Sequence, residues 1–275
     1  MPYLQNKEGF KLYYEEFNPQ SLHCTIVLIH GFASSVSFFK EQIKVLKNFY
    51  RVICFDALGH GRSDHPKELN ITGNIRNEII RDLEDLLKFL NINGPIGIIG
   101  HSLVGGMIAQ LICKKHPEKI KFLILLNSGY INTDNVIRNI FYNLLPYMVR
   151  MNFLDAVANS IDRILDKTIP FILQALTNNL YRIKMTKEEL YMHIEDQIFK
   201  MINEIKEYDP SFVKCPTLIV GGRLDNFAPI EMSEELHQKI PNSTLKIIDM
   251  AGHFGPTQRK EIYNEIICEF IRNIK

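Results

Sequence analysis

The chain has 275 residues, 46% of them apolar, and a formal net charge of +1. That near-neutral balance argues against a nucleic-acid or membrane-surface partner, and no stretch of about 18 apolar residues is present to span a bilayer. The N-terminal stretch, residues 1–17, mixes charged and aromatic side chains and lacks the apolar core of a signal peptide.

The length allows one large α/β domain or two smaller ones. The first segment, Tyr3-Leu4 with Lys11 to Phe17, reads as an antiparallel edge hairpin. Six short apolar runs follow: Ile26–Ile29, Val52–Phe55, Ile96–Ile99, Phe122–Leu126, Thr217–Val220 and Leu245–Ile248. Their unbroken apolarity implies burial on both faces, as in a parallel sheet covered by helices. Helical periodicity fills the intervals. It is carried by Phe39, Ile43, Leu46 and Tyr50, then by Ile79, Leu83, Leu86, Leu87 and Leu90, and near the end by Ile262, Ile266, Phe270 and Ile274. The alternation predicts a doubly wound α/β fold with a mostly parallel, eight-stranded sheet and helices on both faces.

One stretch breaks the alternation. Residues 131–213 are helical in pattern, rich in Ile, Leu, Phe, Tyr and Met, and punctuated by Pro146, Pro170 and Pro210. They read as an inserted cap of roughly four helices, which leaves 1–130 and 214–275 as the core. The arginines in that stretch (Arg138, Arg150, Arg163 and Arg182) read as solvated. The five cysteines (Cys24, Cys54, Cys113, Cys215 and Cys268) are odd in number and have no Cys-x-x-Cys spacing. Four of them sit in or next to apolar-periodic segments, and they are expected to be reduced, buried thiols in a cytoplasmic protein.

Ser102 stands where the run Ile96–Ile99 stops and a helical pattern begins, in Gly100-His101-Ser102-Leu103-Val104-Gly105-Gly106. A serine at a sharp strand-to-helix turn presents its hydroxyl at the sheet's rim, which is the geometry of a nucleophile elbow. A bare hydroxyl is a poor nucleophile, so it needs a histidine to take its proton and a carboxylate to orient that histidine. Ligands of such sheets bind beyond the carboxyl ends of the strands. Two residues follow strand ends as required: Asp225, after Leu218-Ile219-Val220-Gly221-Gly222, and His253, after Ile247-Ile248. The order Ser, Asp, His is the one described for this elbow. His101, His116 and His30 fit less well. An oxyanion needs two N–H donors, and these are expected from Leu103 and from Phe32, which follows the glycine of His30-Gly31-Phe32.

At this point the chain resembles the α/β-hydrolase superfamily over nearly its whole length. His30-Gly31-Phe32 resembles the family's oxyanion loop, and Asp56 to Asp64, with Arg62, its structural turn. Gly222-Arg223-Leu224-Asp225 resembles its acid loop and Ala251-Gly252-His253-Phe254 its histidine loop. Any one of these is a weak signal. Five motifs in order at family-like spacing, the elbow included, are a strong one. The resemblance implies a cofactor-independent serine hydrolase acting on a small acyl substrate, with a carboxylic ester favoured and lactonase and carbon–carbon bond hydrolase activities sharing the same parts. A serine at position 102, rather than an aspartate, argues against the dehalogenase and epoxide-hydrolase branches, and the absence of tryptophan argues again against dehalogenases.

Plainer readings stand beside these. Ser102 could be a helix N-cap, Asp225 a turn cap, His253 a satisfied core histidine, and Asp56 with Arg62 a turn network. Gly59-x-Gly61 lacks the third glycine of a dinucleotide loop, since position 64 is Asp, and no metal-ligand spacing occurs. No cofactor or metal is expected, and the assembly is expected to be a monomer or homodimer. Val104 departs from the family pattern, which has a small residue two after the serine. Either valine replaces it, or one residue is inserted and Gly105-Gly106 are the usual pair displaced by one. Met107-Ile108-Ala109-Gln110 favours insertion, absorbed as a bulge or a wide first turn, and insertion would make deletion of Val104 tolerable. Two other functional classes remain. One is a small-molecule receptor on the same fold, as in the karrikin and strigolactone receptors. The other is a catalytically silent paralogue.

Overall fold

A computed structural model describes residues 2–32, 34–64, 75–130 and 209–274. The chain divides into two compact units, 1–130 with 209–275, and 131–208. The expected cap lies outside the described residues except for its last five positions. Those five, 209–213, belong to the first unit, where Val213 is wholly buried.

The sheet has eight strands: β1 (Tyr3–Gln5), β2 (Lys11–Phe17), β3 (Thr25–Ile29), β4 (Val52–Phe55), β5 (Ile96–His101), β6 (Ile120–Leu126), β7 (Thr217–Gly222) and β8 (Ser243–Ile248). Their spatial order is β1-β2-β4-β3-β5-β6-β7-β8. β2 pairs antiparallel with both of its neighbours, and every pairing from β4 to β8 is parallel. The N-terminal hairpin and all six apolar runs are therefore strands.

Among the described residues six α-helices accompany them: α1 (Lys40–Leu46), α2 (Ile75–Phe89), α3 (Ser102–Lys115), α4 (Ile230–Lys239), α5 (Gly255–Gln258) and α6 (Lys260–Arg272). Alternate strand residues serve opposite faces. Val27, Ile29, Ile53, Phe55, Leu123 and Leu125 join Leu83 and Leu86 of α2, Ile108 and Ile112 of α3 and Leu236 of α4 in one apolar cluster. On the other face α6 packs against α1 and α5, and the rings of Phe122 and Phe270 meet edge to face.

Two sequence expectations shift. β8 is an edge strand, and its burial alternates along Ser243–Ile248 instead of being continuous. In α6 the buried positions are Tyr263, Ile267 and Ile271, while Ile262 is exposed. The apolar stripe is thus turned by one residue from the one expected. Three of the cysteines, Cys24, Cys215 and Cys268, are only half-buried; all five are free thiols. Among the described residues no helix is long and apolar enough to cross a membrane.

Asp82 on α2 is buried and accepts a hydrogen bond from Asn6 Nδ2 at 3.1 Å. Its other oxygen has no partner among the described residues. Burial is the main cause that pushes its carboxyl up to about 6. A carboxyl held above its unfolded value supports folding at low pH and loses that support as pH rises through about 6. Asp82→Asn is therefore expected to raise the melting temperature at pH 8, with the gain fading towards pH 4. Melting curves of the two proteins across that range check it.

Candidate active site

β5 to β8 run in register, so their carboxyl ends form one rim. Leu126 of β6 stands beside His101 of β5 and Val220 of β7, and Gly222 of β7 stands beside Ile248 of β8. Ser102 follows β5 and opens α3 with φ +66°. Left-handed backbone at a non-glycine residue is costly and is tolerated where the surroundings over-determine it. Here His101 is still extended (φ −111°, ψ 145°) and the helix starts one residue later. The reversal leaves Ser102 half-buried at the rim.

Ser102 Oγ lies 2.9 Å from His253 Nε2. His253 Nδ1 lies 2.9 Å from Asp225 Oδ2 and 3.1 Å from Oδ1. The carboxylate can only accept, so Nδ1 carries the proton and Nε2 offers its lone pair to the serine hydroxyl. The Asp225 side chain is 0% exposed and that of His253 10%. Asp225 Oδ1 also accepts backbone N–H groups from Phe227 and Ala228, both at 2.8 Å. The rings of Phe227, Phe254 and His101 stand around the His253 imidazole at 5.0–5.6 Å between centroids. The structure thus brings the three side chains together in one hydrogen-bonded chain.

The two expected oxyanion donors lie on elements that meet the serine. Leu103 is the second residue of α3, in the first turn, whose amides lack intrahelical acceptors and carry the positive end of the helix dipole. Gly31 passes so close to Ser102 that a Cβ on it would lie 2.7 Å from Ser102 Cβ and 3.3 Å from Oγ. The loop carrying Phe32 is held by His30, whose ring spans the Gly31 carbonyl at Nδ1 (2.7 Å) and the Ala57 N–H at Nε2 (3.2 Å). Burial pushes this imidazole down to about 4, which keeps it neutral at physiological pH. The turn on which it leans is a structural network, as the plainer reading of Asp56 and Arg62 has it. Asp56 accepts the N–H groups of Val36 (2.6 Å) and Arg62 (2.8 Å).

His101 makes no contact in the relay, yet it belongs to the site's support. It stacks on Phe38 at 3.9 Å and donates from Nε2 to the His253 carbonyl at 3.0 Å. Burial, followed by the neighbouring His253, holds its ring well below the ordinary histidine range. His116 sits elsewhere, 2.6 Å from Glu84.

α3 is uninterrupted α-helix from Ser102 to Lys115, so the expected bulge is not there. Val104 occupies the third position of this helix, half-buried against the core. The tight approaches fall one residue later than the family pattern puts them. A Cβ on Gly105 would lie 2.5 Å from the Ile29 carbonyl oxygen, and one on Gly106 1.9 Å from Ser128 Oγ.

A family model of the alpha/beta hydrolase fold matches residues 25–258. The chain belongs to the α/β-hydrolase fold family. It is 27% identical over 280 residues to the uncharacterized hydrolase YugF of Bacillus subtilis, covering 96% of each chain. It is 26% identical over 263 residues to 2-hydroxy-6-oxo-6-(2'-aminophenyl)hexa-2,4-dienoic acid hydrolase of Metapseudomonas resinovorans, covering 90% of this chain and 83% of that one. Among solved structures, the enol-lactonase of Burkholderia xenovorans LB400 superposes with a TM-score of 0.73 at 19% identity, covering 99% of this chain and 100% of that one.

Within this α/β-hydrolase frame, residue-by-residue reading located the serine, histidine and aspartate but missed Asn127 and Tyr263. Asn127 donates to Asp225 Oδ2 and to the Gly252 carbonyl, and accepts from the Tyr263 hydroxyl. The one local sign of Asn127 is an Asn-Ser-Gly turn at a strand end, and nothing local marks Tyr263.

Two expectations follow for the elbow. Gly105→Ala is expected to lower both melting temperature and turnover, the latter by about tenfold or more, because its methyl meets backbone next to the oxyanion loop. Deleting Val104 would move Met107 into the place of Gly106, so the deletion is expected to fold poorly. Melting curves together with p-nitrophenyl butyrate turnover decide the first, and circular dichroism with melting curves the second.

Proposed function

We propose that this protein is a serine hydrolase that cleaves a carboxylic ester, or a related acyl bond, of a small and partly apolar substrate. The observation that carries the reading is the unbroken relay from Ser102 Oγ through His253 to Asp225, with 2.9 Å at each link. A plain N-cap serine, turn aspartate and core histidine have no reason to meet in this order and tautomer.

The chemistry runs as follows. The Ser102 hydroxyl gives its proton to His253 Nε2 while its oxygen attacks the substrate carbonyl carbon. Asp225 keeps the imidazole oriented and balances the charge of the imidazolium. The carbonyl oxygen becomes an oxyanion held by the N–H groups of Leu103 and Phe32. As the intermediate collapses, the bond to the leaving group breaks and the imidazolium protonates that group. Water then loses a proton to His253 and attacks the acyl-enzyme. The acid leaves, and the proton returns to Ser102. No step calls for a cofactor. The apolar composition of residues 131–213 is a sequence ground for an acyl group with an apolar part. A cytoplasmic site of action belongs to the same proposal, resting on scattered thiols in odd number.

The similarity to a dienoic acid hydrolase supports a second reading, hydrolytic carbon–carbon cleavage by the same serine. Turnover of a 2-hydroxy-6-oxo-dienoate but of no ester would select it.

Repeated turnover of p-nitrophenyl acetate and butyrate is expected. Ser102→Ala should lose it by about a thousandfold or more and should resist a fluorophosphonate probe that labels the native protein. A single slow burst with the native protein would favour a receptor, and an unlabelled, folded native protein would end the serine reading.

A further inference from the structure

Four neighbouring strands deliver one residue each to the rim: Ser102 after β5, Asn127 after β6, Asp225 after β7 and His253 after β8. The relay uses three of them. Asn127 is the fourth. It is 0% exposed and sits in left-handed backbone at φ +47°. Its own N–H donates to the Val220 carbonyl at 2.7 Å, which pins its backbone to β7.

The side chain is fully occupied. Nδ2 donates to Asp225 Oδ2 at 3.0 Å and to the Gly252 carbonyl at 2.9 Å, and Oδ1 accepts from Tyr263 at 2.7 Å. Both partners of Nδ2 can only accept, so the amide cannot be turned over without placing an oxygen against two oxygens. That orientation obliges the Tyr263 hydroxyl to be the donor. Burial, which raises the phenol's pKa, keeps the proton in place.

We propose that Asn127 is a positioning residue of the proton relay. Its amide staples the loop carrying Asp225 to the loop carrying His253, and Tyr263 on α6 locks the amide in the orientation that does so. The inference rests on the Ser102–His253–Asp225 reading. Gly252 is the residue immediately before His253, so the staple acts one peptide away from the ring that must reach both Asp225 and Ser102. Displacement of such a ring by about 1 Å can cost about 100-fold in rate. The staple touches no reacting atom, so its loss should appear in kcat and leave substrate binding alone.

The test is kinetic, on the full chain, with p-nitrophenyl butyrate. Asn127→Ala is expected to lower kcat about 10- to 100-fold, with KM within about twofold of the native value. Tyr263→Phe, which removes one oxygen, is expected to lower kcat about three- to tenfold, again without moving KM. Because Tyr263 acts through Asn127, the double variant should be no slower than Asn127→Ala alone. A purely architectural role would lower the melting temperature of both variants and leave kcat within about twofold of native. That result, or losses that multiply in the double variant, overturns the proposal. If Asn127→Ala does not fold by circular dichroism, Tyr263→Phe decides alone: an unchanged kcat refutes the staple, and a reduced kcat with unchanged KM upholds it. Turnover that persists in Ser102→Ala would instead be a failure of the serine reading, recognisable because it does not depend on either of these variants.

Discussion

The register of the four parallel strands β5 to β8 is the constraint on which the site depends. Each functional group hangs from the carboxyl end of its own strand, so the groups meet only if those ends are level. A slip of one residue would move a strand by about 3.3 Å and turn its side chains to the opposite face, against a hydrogen-bonded chain whose links are 2.9 Å. The slip is opposed by burial on both faces. Ile98, Ile99, residues 122–126 and residues 218–220 are at most 1% exposed, and no shift keeps all of them covered. The antiparallel hairpin at the other edge of the sheet contributes nothing to the rim.

Around that rim, several buried polar groups are fixed by a partner, while His101 Nδ1 and Ser128 Oγ have none among the described residues. His30 bridges the oxyanion loop to the turn after β4, Asp56 gathers the amides of that turn, and His101 holds the carbonyl of His253. The two support histidines are kept neutral by burial, so they add no charge beside the imidazole that works. Glycines provide the remaining closeness. Gly31 and Gly105 allow the oxyanion loop, the serine and the head of α3 to approach at distances that a single methyl group would prevent.

The parts of the fold legible in the sequence were those set by continuous local pattern. Apolar runs marked five of the six parallel strands because two-sided burial leaves no room for alternation, while the edge strand β8, whose run is interrupted by Lys246, alternates. Ser102, Asp225 and His253 were legible because each follows such a run at a glycine-marked turn. Orientation within an element was less legible. In α6 the neighbours Ile266-Ile267 and Phe270-Ile271 are apolar pairs, so two stripes about 100° apart fit equally well, and choosing the wrong one hid Tyr263. Asn127 was hidden for another reason. Its contacts lie 98 and 125 residues away, and nothing near it in the chain records them. At Val104 the close approaches fall on Gly105 and Gly106, the displaced pair of the insertion reading, and they are carried by an uninterrupted helix.

The left-handed backbone of Ser102 sets the comfort of the chain against the side chain it presents. A glycine at that position would adopt the same turn without the steric penalty, which is on the order of 1 kcal/mol or more for other residues. Such a change would also remove the hydroxyl that meets His253 Nε2. At this one position, ease of the backbone and the proposed chemistry pull in opposite directions.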